Sequence, residues 1–130
     1  MKNRVVICDD AGFIREILTN ELTRLGYQVV GEATTGPESV RMIAELVPDY
    51  VFLDMVLPEM NGCEVATEVL AIHQESLLIG MSTVEFETIR EKAMKAGCRD
   101  WLSKPFNKVT IKELMSRLEQ QRQKKEVAHG

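Results

Sequence analysis

Polar residues that suit metal or phosphate chemistry follow four short apolar runs of the chain. Asp9 and Asp10 come directly after RVVIC, and Asp54 comes after YVFL. Further on, Ser82 follows SLLIGM and Lys104 follows RDWLS. Because burying an unpaired charge inside a strand is costly, each of these side chains is expected where a strand leaves the sheet. There it can face a crevice and react.

The three carboxylates offer hard oxygen ligands to a divalent cation. Carboxylates gathered at one edge repel one another and raise a pKa unless a cation lies between them. Asp10 and Asp54, with a backbone carbonyl of the loop after Asp54, suit Mg²⁺, which keeps several waters and takes one or two carboxylates with phosphate oxygens. Asp9 is expected to hold a coordinated water. The sequence therefore predicts a magnesium site at these three residues.

The other polar groups complete a site for phosphoryl transfer. Lys104 supplies a positive charge for an incoming phosphoryl group, and Ser82 supplies a hydroxyl donor. Asp54 is then left as the nucleophile, which forms an acyl phosphate. Taken singly, each motif has a structural explanation, since an Asp-Asp pair often forms a turn or a helix cap. Their combination, in order and at strand ends, favours a functional site.

Apolar periodicity predicts five strands that alternate with five helices. The predicted strands are 4–8, 27–31, 50–53, 76–81 and 99–102. The predicted helices are 13–25, 36–47, 62–73, 85–96 and a last one that begins after Asn107 and frays beyond Glu119. Thr35 and Glu38 have the spacing of a capping box at the start of the second helix.

This alternation predicts an α/β fold, a doubly wound parallel sheet with helices on both faces. Crossover connections are right-handed, which leaves few topologies. In such sheets the binding crevice lies beyond the carboxyl ends of the strands. The chemically competent residues all follow strands, so this fold would bring them to one edge. Fold and site therefore support each other.

Composition restricts the class of protein. The chain has 130 residues, 45% hydrophobic and 28% charged, which fits one domain, placed at 1–120, with a polar tail or the start of a linker at 121–130. The net charge of −4 gives no footprint for nucleic acid or an anionic membrane. No apolar run reaches the length of a membrane span. Three cysteines without a CxxC spacing indicate reduced thiols in a cytoplasmic protein.

The combination of motifs resembles the receiver domain of the two-component response regulator family over 2–118. The matching residues are Asp9-Asp10, Asp54, the PEMNG loop at 58–62, Ser82 and DWLSKPF at 100–106. The resemblance implies a stand-alone regulator of the chemotaxis or sporulation type, with a flavodoxin-like strand order 2-1-3-4-5. It also implies that a histidine kinase or a histidine phosphotransfer protein passes a phosphoryl group from phosphohistidine to Asp54.

The resemblance further implies a cofactor and a backbone feature. Mg²⁺ is expected at Asp10, Asp54 and the Val56 carbonyl, and the peptide bond before Pro105 is expected to be cis. Such a domain is not an enzyme acting on other molecules, since it catalyses only its own phosphorylation and dephosphorylation. It is expected to be a monomer, and dimerisation on phosphorylation stays open.

A switch is the last implication of the resemblance. In the family, phosphorylation draws a Ser/Thr hydroxyl toward the phosphoryl group, and an aromatic ring near the fifth strand turns inward. The surface of the fourth helix, fifth strand and fifth helix then changes for a downstream target protein or an output domain. Ser82 and Trp101 occupy these two positions.

The chain departs from the family pattern around the switch. Trp101 stands where Tyr or Phe is usual, so it either rotates in a roomier pocket or is fixed as packing. Thr83 replaces a small residue, and its β-branched side chain restricts the space beside the switch hydroxyl. Val56 and Val84 are apolar and cannot orient a water for attack on the acyl phosphate. We therefore expect a long-lived phosphoryl group.

Three other functions stay open. A degenerate receiver that binds protein without phosphorylation stays open because of Thr83 and Trp101, although the retention of every site group argues against it. An aspartyl-phosphate phosphatase-type enzyme needs a second acid two residues after the nucleophile, where this chain has Val56. A flavodoxin-like FMN binder needs a Ser/Thr/Gly-rich phosphate loop after the first strand, where Asp9 and Asp10 would repel phosphate.

Overall fold

Five parallel strands alternate with five helices in the part of the chain that this computed structural model describes, residues 2–83 and 87–129. The elements are β1 (Arg4–Cys8), α1 (Gly12–Arg24), β2 (Gln28–Ala33), α2 (Gly36–Leu46), β3 (Tyr50–Asp54), α3 (Gly62–Ile72), β4 (Leu77–Ser82), α4 (Glu87–Ala96), β5 (Asp100–Ser103) and α5 (Lys108–His129). The sheet has the order β2-β1-β3-β4-β5, and neighbouring strands are parallel. The predicted doubly wound α/β fold and its strand order are confirmed.

The central strand β3 is buried along its whole length. Successive side chains of a strand point to opposite faces. Tyr50 and Phe52 therefore enter the core formed with α1 and α5, whereas Val51 and Leu53 enter the core formed with α2, α3 and α4. Burial on both faces explains why this strand is a continuous apolar run and not an alternating one.

Strands β2, β4 and β5 extend beyond the apolar runs that predicted them. β2 continues to Ala33, because Glu32 pairs with Ile7 and Ala33 with Cys8 of β1. β4 and β5 end at Ser82 and Ser103, which pair with each other. Backbone pairing does not depend on side-chain polarity. Glu32, Ser82 and Ser103 therefore belong to strands, although a prediction from apolar runs leaves them out.

The last helix is longer than predicted. We expected the chain to fray beyond Glu119, but α5 continues to His129. Tertiary contacts hold the middle of α5 to the base of the sheet, the edge at which β2 and β3 begin. The hydroxyls of Tyr27 and Tyr50 donate to Glu119 Oε1 over 3.0 and 2.5 Å. The Arg122 guanidinium lies 4.4 Å from the centre of the Tyr50 ring. None of these contacts is visible in the periodicity of the last helix.

The start of α2 forms as predicted, with one difference. Thr35 Oγ1 accepts a hydrogen bond from Glu38 N at 3.2 Å, and Glu38 Oε1 accepts one from Thr34 N at 2.9 Å. The glutamate thus reaches one residue further back than in the usual capping box. The first turn of α2 is fixed from both sides.

Among the described helices, none is both long and apolar enough to cross a bilayer.

Candidate functional site

Three carboxylates meet at the carboxyl edge of the sheet. β1 and β3 are neighbours, and the pairing of Cys8 with Leu53 brings the residues that follow them together. Carboxylate oxygens of Asp9, Asp10 and Asp54 all lie within 4.8 Å of one another. Asp9 is fully buried and Asp54 is 6% exposed, whereas Asp10 is exposed. Asp9 and Asp54 therefore form the buried part of the cluster, and Asp10 forms its solvent-exposed part.

Lys104 places its ammonium group between two of these carboxylates. Its Nζ lies 2.5 Å from Asp9 Oδ2 and 3.0 Å from Asp54 Oδ2. Its backbone N–H donates to Ser82 O at 3.0 Å, which ties the end of β5 to the end of β4. The peptide bond that joins Lys104 to Pro105 is cis, as the resemblance implies.

The three carboxylates differ in their hydrogen bonds. Asp9 uses both oxygens, since Oδ1 accepts from Ala11 N at 2.9 Å and Oδ2 accepts from Lys104. Asp54 Oδ1 accepts from Val56 N at 2.9 Å. Within the described residues, the Asp10 carboxylate makes no hydrogen bond to the protein. Asp10 is thus the carboxylate most open to solvent and to a cation.

Burial and pairing shift the pKa values of the central pair. Burial raises the pKa of Asp54 above its usual value, and the opposing hydrogen bonds from Val56 N and Lys104 only reduce that rise. Burial lowers the pKa of Lys104, but hydrogen bonds to Asp9 and Asp54 outweigh it and leave the pKa raised. One cation faces two anions here, so the lysine stays charged and the cluster keeps an excess of negative charge.

The donor set fits a magnesium ion. Hard carboxylate oxygens lie within one ion's reach of each other, and Asp10 faces solvent, where a metal can keep waters. An additional positive charge would also offset the excess of carboxylates over the single lysine. Val56, whose carbonyl oxygen is the further ligand expected from the resemblance, is 61% exposed.

The two predicted switch residues lie on adjacent strands. Ser82 ends β4 and is 2% exposed, and the exposed Thr83 follows it. Trp101 lies on β5 opposite Gly80. A Cβ at Gly80 would lie 2.8 Å from two ring atoms of Trp101 and 3.4 Å from Ala93 Cβ, so the glycine provides the space that the indole fills.

The indole nitrogen of Trp101 has a partner. Its Nε1 donates to Ser103 Oγ at 3.0 Å, and the ring packs against the core on the α2, α3 and α4 face. The sequence indicated that the indole of Trp101 needs more space than a Tyr or Phe ring, but it did not indicate that Gly80 provides this space. The predicted contribution of Val84 lies outside the described residues.

Two residues outside the acidic cluster, Arg15 and Gly36, bind the backbone of its segments and were not predicted from the sequence. Arg15 Nη1 donates to Asp9 O at 2.8 Å, and its Nε donates to Glu32 Oε1 at 3.0 Å. Gly36 N donates to Pro58 O at 3.1 Å, in the loop that follows Asp54. A Gly-Pro pair at the start of a helix was the available signal for Gly36. No local pattern marks Arg15.

The profile of the response regulator receiver domain matches residues 5–117, and the chain belongs to that family, the receiver class of two-component signalling. The chemotaxis protein CheY of Thermotoga maritima is 38% identical over 118 residues, which cover 91% of this chain and 98% of that protein. The CheY of Bacillus subtilis is 32% identical over 117 residues, 90% of this chain and 98% of that protein. The chain is therefore a receiver domain that is similar in sequence to CheY over nearly the whole length of those proteins.

A solved structure shares the fold. The receiver domain of a sensor histidine kinase from Pseudomonas aeruginosa, described with a magnesium ion coordinated in its active-site cleft, has a TM-score of 0.80 and 23% identity, with 90% of this chain and 97% of that chain covered. At this identity the likeness concerns the fold alone. It agrees with the observed strand order.

Proposed function

We propose that the protein is a phosphoryl-accepting switch in which Asp54 takes a phosphoryl group from a phosphohistidine. The donor is a histidine kinase or a histidine phosphotransfer protein. One observation carries the proposal: Asp54 lies at the rim of the sheet with Lys104 Nζ 3.0 Å from one oxygen and Val56 N 2.9 Å from the other. A carboxylate held in this way is oriented for attack on phosphorus.

In the proposed transfer, an oxygen of Asp54 forms a bond to phosphorus while the bond from phosphorus to the imidazole nitrogen breaks. The electron pair of that bond returns to the imidazole nitrogen and the ring takes up one proton from solvent, so the donor leaves as an ordinary histidine. Lys104, already charged, stabilises the negative charge on the phosphoryl oxygens. Val56 N–H keeps the carboxylate in place, and Asp9 keeps the lysine in place.

Asp10, Asp54 and the Val56 carbonyl are proposed to hold Mg²⁺, with Asp9 bonded to a coordinated water. When bound, the ion would neutralise charge that develops on the transferred group. The observed contacts support this division, since Asp9 is fully buried and engaged while Asp10 is open. The magnesium described in the Pseudomonas receiver is in line with it.

The switch is proposed to start at Ser82. A phosphoryl group at Asp54 adds charge and acceptor oxygens, and the Ser82 hydroxyl moves to donate to one of them. Movement at the end of β4 passes to β5 through the bond between Ser82 O and Lys104 N. Thr83 and Trp101 then reposition, and the surface of α4, β5 and α5 changes for a downstream target protein or an output domain.

One observation favours a second candidate, a receiver that binds its partner without rotation of Trp101. The indole is seated against Gly80 and its nitrogen is already bonded to Ser103. Trp101 is the sole tryptophan, so its fluorescence reports on the question. A change in emission on addition of Mg²⁺ and beryllofluoride supports rotation. Unchanged emission, with beryllofluoride bound, supports the fixed ring.

The phosphoacceptor is tested with acetyl phosphate and Mg²⁺, followed by intact mass. We expect the parent to gain one phosphoryl group and Asp54→Asn to gain none. Asp100→Asn is the matched control, because Asp100 is a carboxylate at the start of β5 that pairs with Arg117 away from the cluster; it should gain one group. Equal incorporation in Asp54→Asn would refute the proposal. Repeated turnover of a phosphate monoester would favour the phosphatase-type enzyme.

A further inference from the structure

The loop between β3 and α3, residues 55–61, is attached to the start of α2. Gly36 N donates to Pro58 O at 3.1 Å. Gly36 is the first residue of α2 and is buried. The first N–H groups of a helix have no partner within the helix, so this one is satisfied by the loop. Helix α2 and the loop thus share a hydrogen bond that secondary structure does not require.

The same contact leaves no space for a side chain at position 36. A Cβ on Gly36 would overlap both the Cβ and the backbone oxygen of Met60, and would lie 2.9 Å from the Met60 carbonyl carbon. Two of these three atoms are backbone atoms, so a rotamer change cannot relieve the overlap. Any larger residue must displace the loop or the first turn of α2.

The loop is constrained at several further points. Pro58 O accepts from Met60 N at 2.8 Å as well as from Gly36 N, and Gly62 N donates to Met55 O at 3.1 Å. Glu59, which lies between Pro58 and Met60, has a φ of 70°, a conformation that a non-glycine residue adopts at a cost in energy. The loop therefore has one favoured arrangement, which depends on its neighbours.

At its other end the same loop reaches the acidic cluster. Val56, the second residue after Asp54, donates its N–H to Asp54 Oδ1 at 2.9 Å, and Met55 N donates to Met81 O at 2.9 Å. The position of Pro58 and Met60 thus affects a residue that directly contacts the phosphoacceptor. Two peptide units separate Val56 from Pro58, so displacement at one is transmitted to the other.

We propose that Gly36 is a positioning residue of the metal site, which acts through Pro58 and Met60 on the segment that bears Val56. The inference rests on the proposed function, in which the Val56 carbonyl binds Mg²⁺. Residues that orient the ligands of a metal, without touching it, change affinity by about 10- to 100-fold when they are replaced. Gly36→Ala should therefore weaken Mg²⁺ binding by about tenfold.

Gly31 provides the matched control. A Cβ there would lie 2.6 Å from Met42 Sδ and 2.9 Å from Leu46 Cδ1, both flexible side chains on α2. Gly31→Ala therefore crowds the same helix without touching residues 55–61. Both variants should lose stability in urea without Mg²⁺, and this loss measures the purely structural effect.

The test compares Mg²⁺ dissociation constants by calorimetry for the parent, Gly36→Ala and Gly31→Ala. We expect only Gly36→Ala to bind more weakly. Its phosphorylation by acetyl phosphate should need about tenfold more Mg²⁺ and reach the parent's rate at saturation. An unchanged Mg²⁺ affinity in Gly36→Ala, or an equal loss in Gly31→Ala, overturns the inference. A parent that binds no Mg²⁺ refutes the proposed function instead.

A measurement on the parent decides the matter if Gly36→Ala does not fold. The amide hydrogen of Gly36 is the donor of the bond to Pro58, and its exchange with solvent can be followed by nuclear magnetic resonance. If the loop and the metal are coupled, saturating Mg²⁺ slows this exchange by a factor that matches its effect at Val56 N. Exchange at Gly36 that does not respond to bound Mg²⁺ overturns the inference.

Discussion

The ammonium nitrogen of Lys104 lies closer to Asp9, at 2.5 Å, than to Asp54, at 3.0 Å. Asp9 is the more buried of the two carboxylates and is also fixed by Ala11 N. The lysine is therefore anchored by Asp9 and only shared with the proposed phosphoacceptor. In the proposed transfer, its bond to Asp54 is exchanged for one to a phosphoryl oxygen while the bond to Asp9 is kept.

Replacing this lysine should both prevent phosphorylation and destabilise the protein. Lys104→Met leaves Asp9 and Asp54 buried without their cation, and breaking a buried pair in this way costs about 3 kcal/mol. Urea unfolding without Mg²⁺ measures the loss, and intact mass with acetyl phosphate measures the acceptor activity. Lys108→Met, at an exposed position of α5, should change neither. Normal phosphorylation of Lys104→Met would contradict the assigned role.

The lifetime of the phosphoryl group should depend on Val56. Its exposed apolar side chain follows Asp54 by two residues and cannot orient a water for attack. Val56→Asn introduces a donor and an acceptor at this point, so we expect faster loss of phosphate from Asp54, by about tenfold or more if the amide positions the water well. Decay is followed by mass after removal of the phosphodonor. Val109→Asn, also 61% exposed but on α5, should leave the rate unchanged.

The three thiols should differ in reactivity. Burial raises the pKa of Cys8 and of Cys98 from 9.0 to about 12, and the thiolate is the reactive form. Cys63, only half-buried, should react first with iodoacetamide at pH 8, and the other two only after unfolding. Peptide mass mapping locates the modified residues.

The same shifts predict how stability depends on pH. The folded protein holds the Cys8 and Cys98 protons more tightly than the unfolded chain, so the stabilisation is complete below pH 9 and is lost as pH rises toward 12. Urea unfolding at pH 8 and pH 10 should therefore give a lower free energy of unfolding at the higher pH. In Cys8→Ala this decline should be smaller, and an unaltered decline would contradict the role of Cys8.

Val47 should be a site where glycine stabilises the protein. It follows α2 with a φ of 45°, a left-handed conformation that is strained for a β-branched residue. Because its side chain is 49% exposed, Val47→Gly loses little packing and should gain about 1 kcal/mol in the free energy of unfolding. Val109→Gly, in the right-handed helix α5, should instead lose about 1 kcal/mol. Destabilisation by both would contradict the strain argument.

Glu119 should hold the middle of α5 to the sheet. It accepts hydrogen bonds from both Tyr27 and Tyr50, and hydrogen bonds to charged groups contribute at least about 1.5 kcal/mol each. Glu119→Ala should therefore lower the free energy of unfolding by about 3 kcal/mol, as measured in urea. It should also speed amide exchange in residues 120–124. Glu113→Ala, exposed on the same helix, is the control and should lose less than about 0.5 kcal/mol.

The sequence by itself determined the fold class and which polar residues would lie together at the candidate site. The alternation of apolar runs with helical periodicity predicted a parallel sheet covered on both faces, since buried strands and amphipathic helices have different periods. Parallel strands share one carboxyl edge, so residues such as Asp9, Asp54 and Lys104 could be placed together although the lysine is 95 residues from Asp9.

Only the tertiary structure decided which groups pair and what holds them. That Lys104 is anchored by Asp9, that Trp101 lies over Gly80, and that Gly36 supports the loop at Pro58 all depend on distances between residues remote in sequence. The length of α5 was missed for the same reason, since Glu119 and Arg122 bind side chains at the base of the sheet. Local patterns report the period of a segment, whereas the partners of a side chain follow from how segments pack.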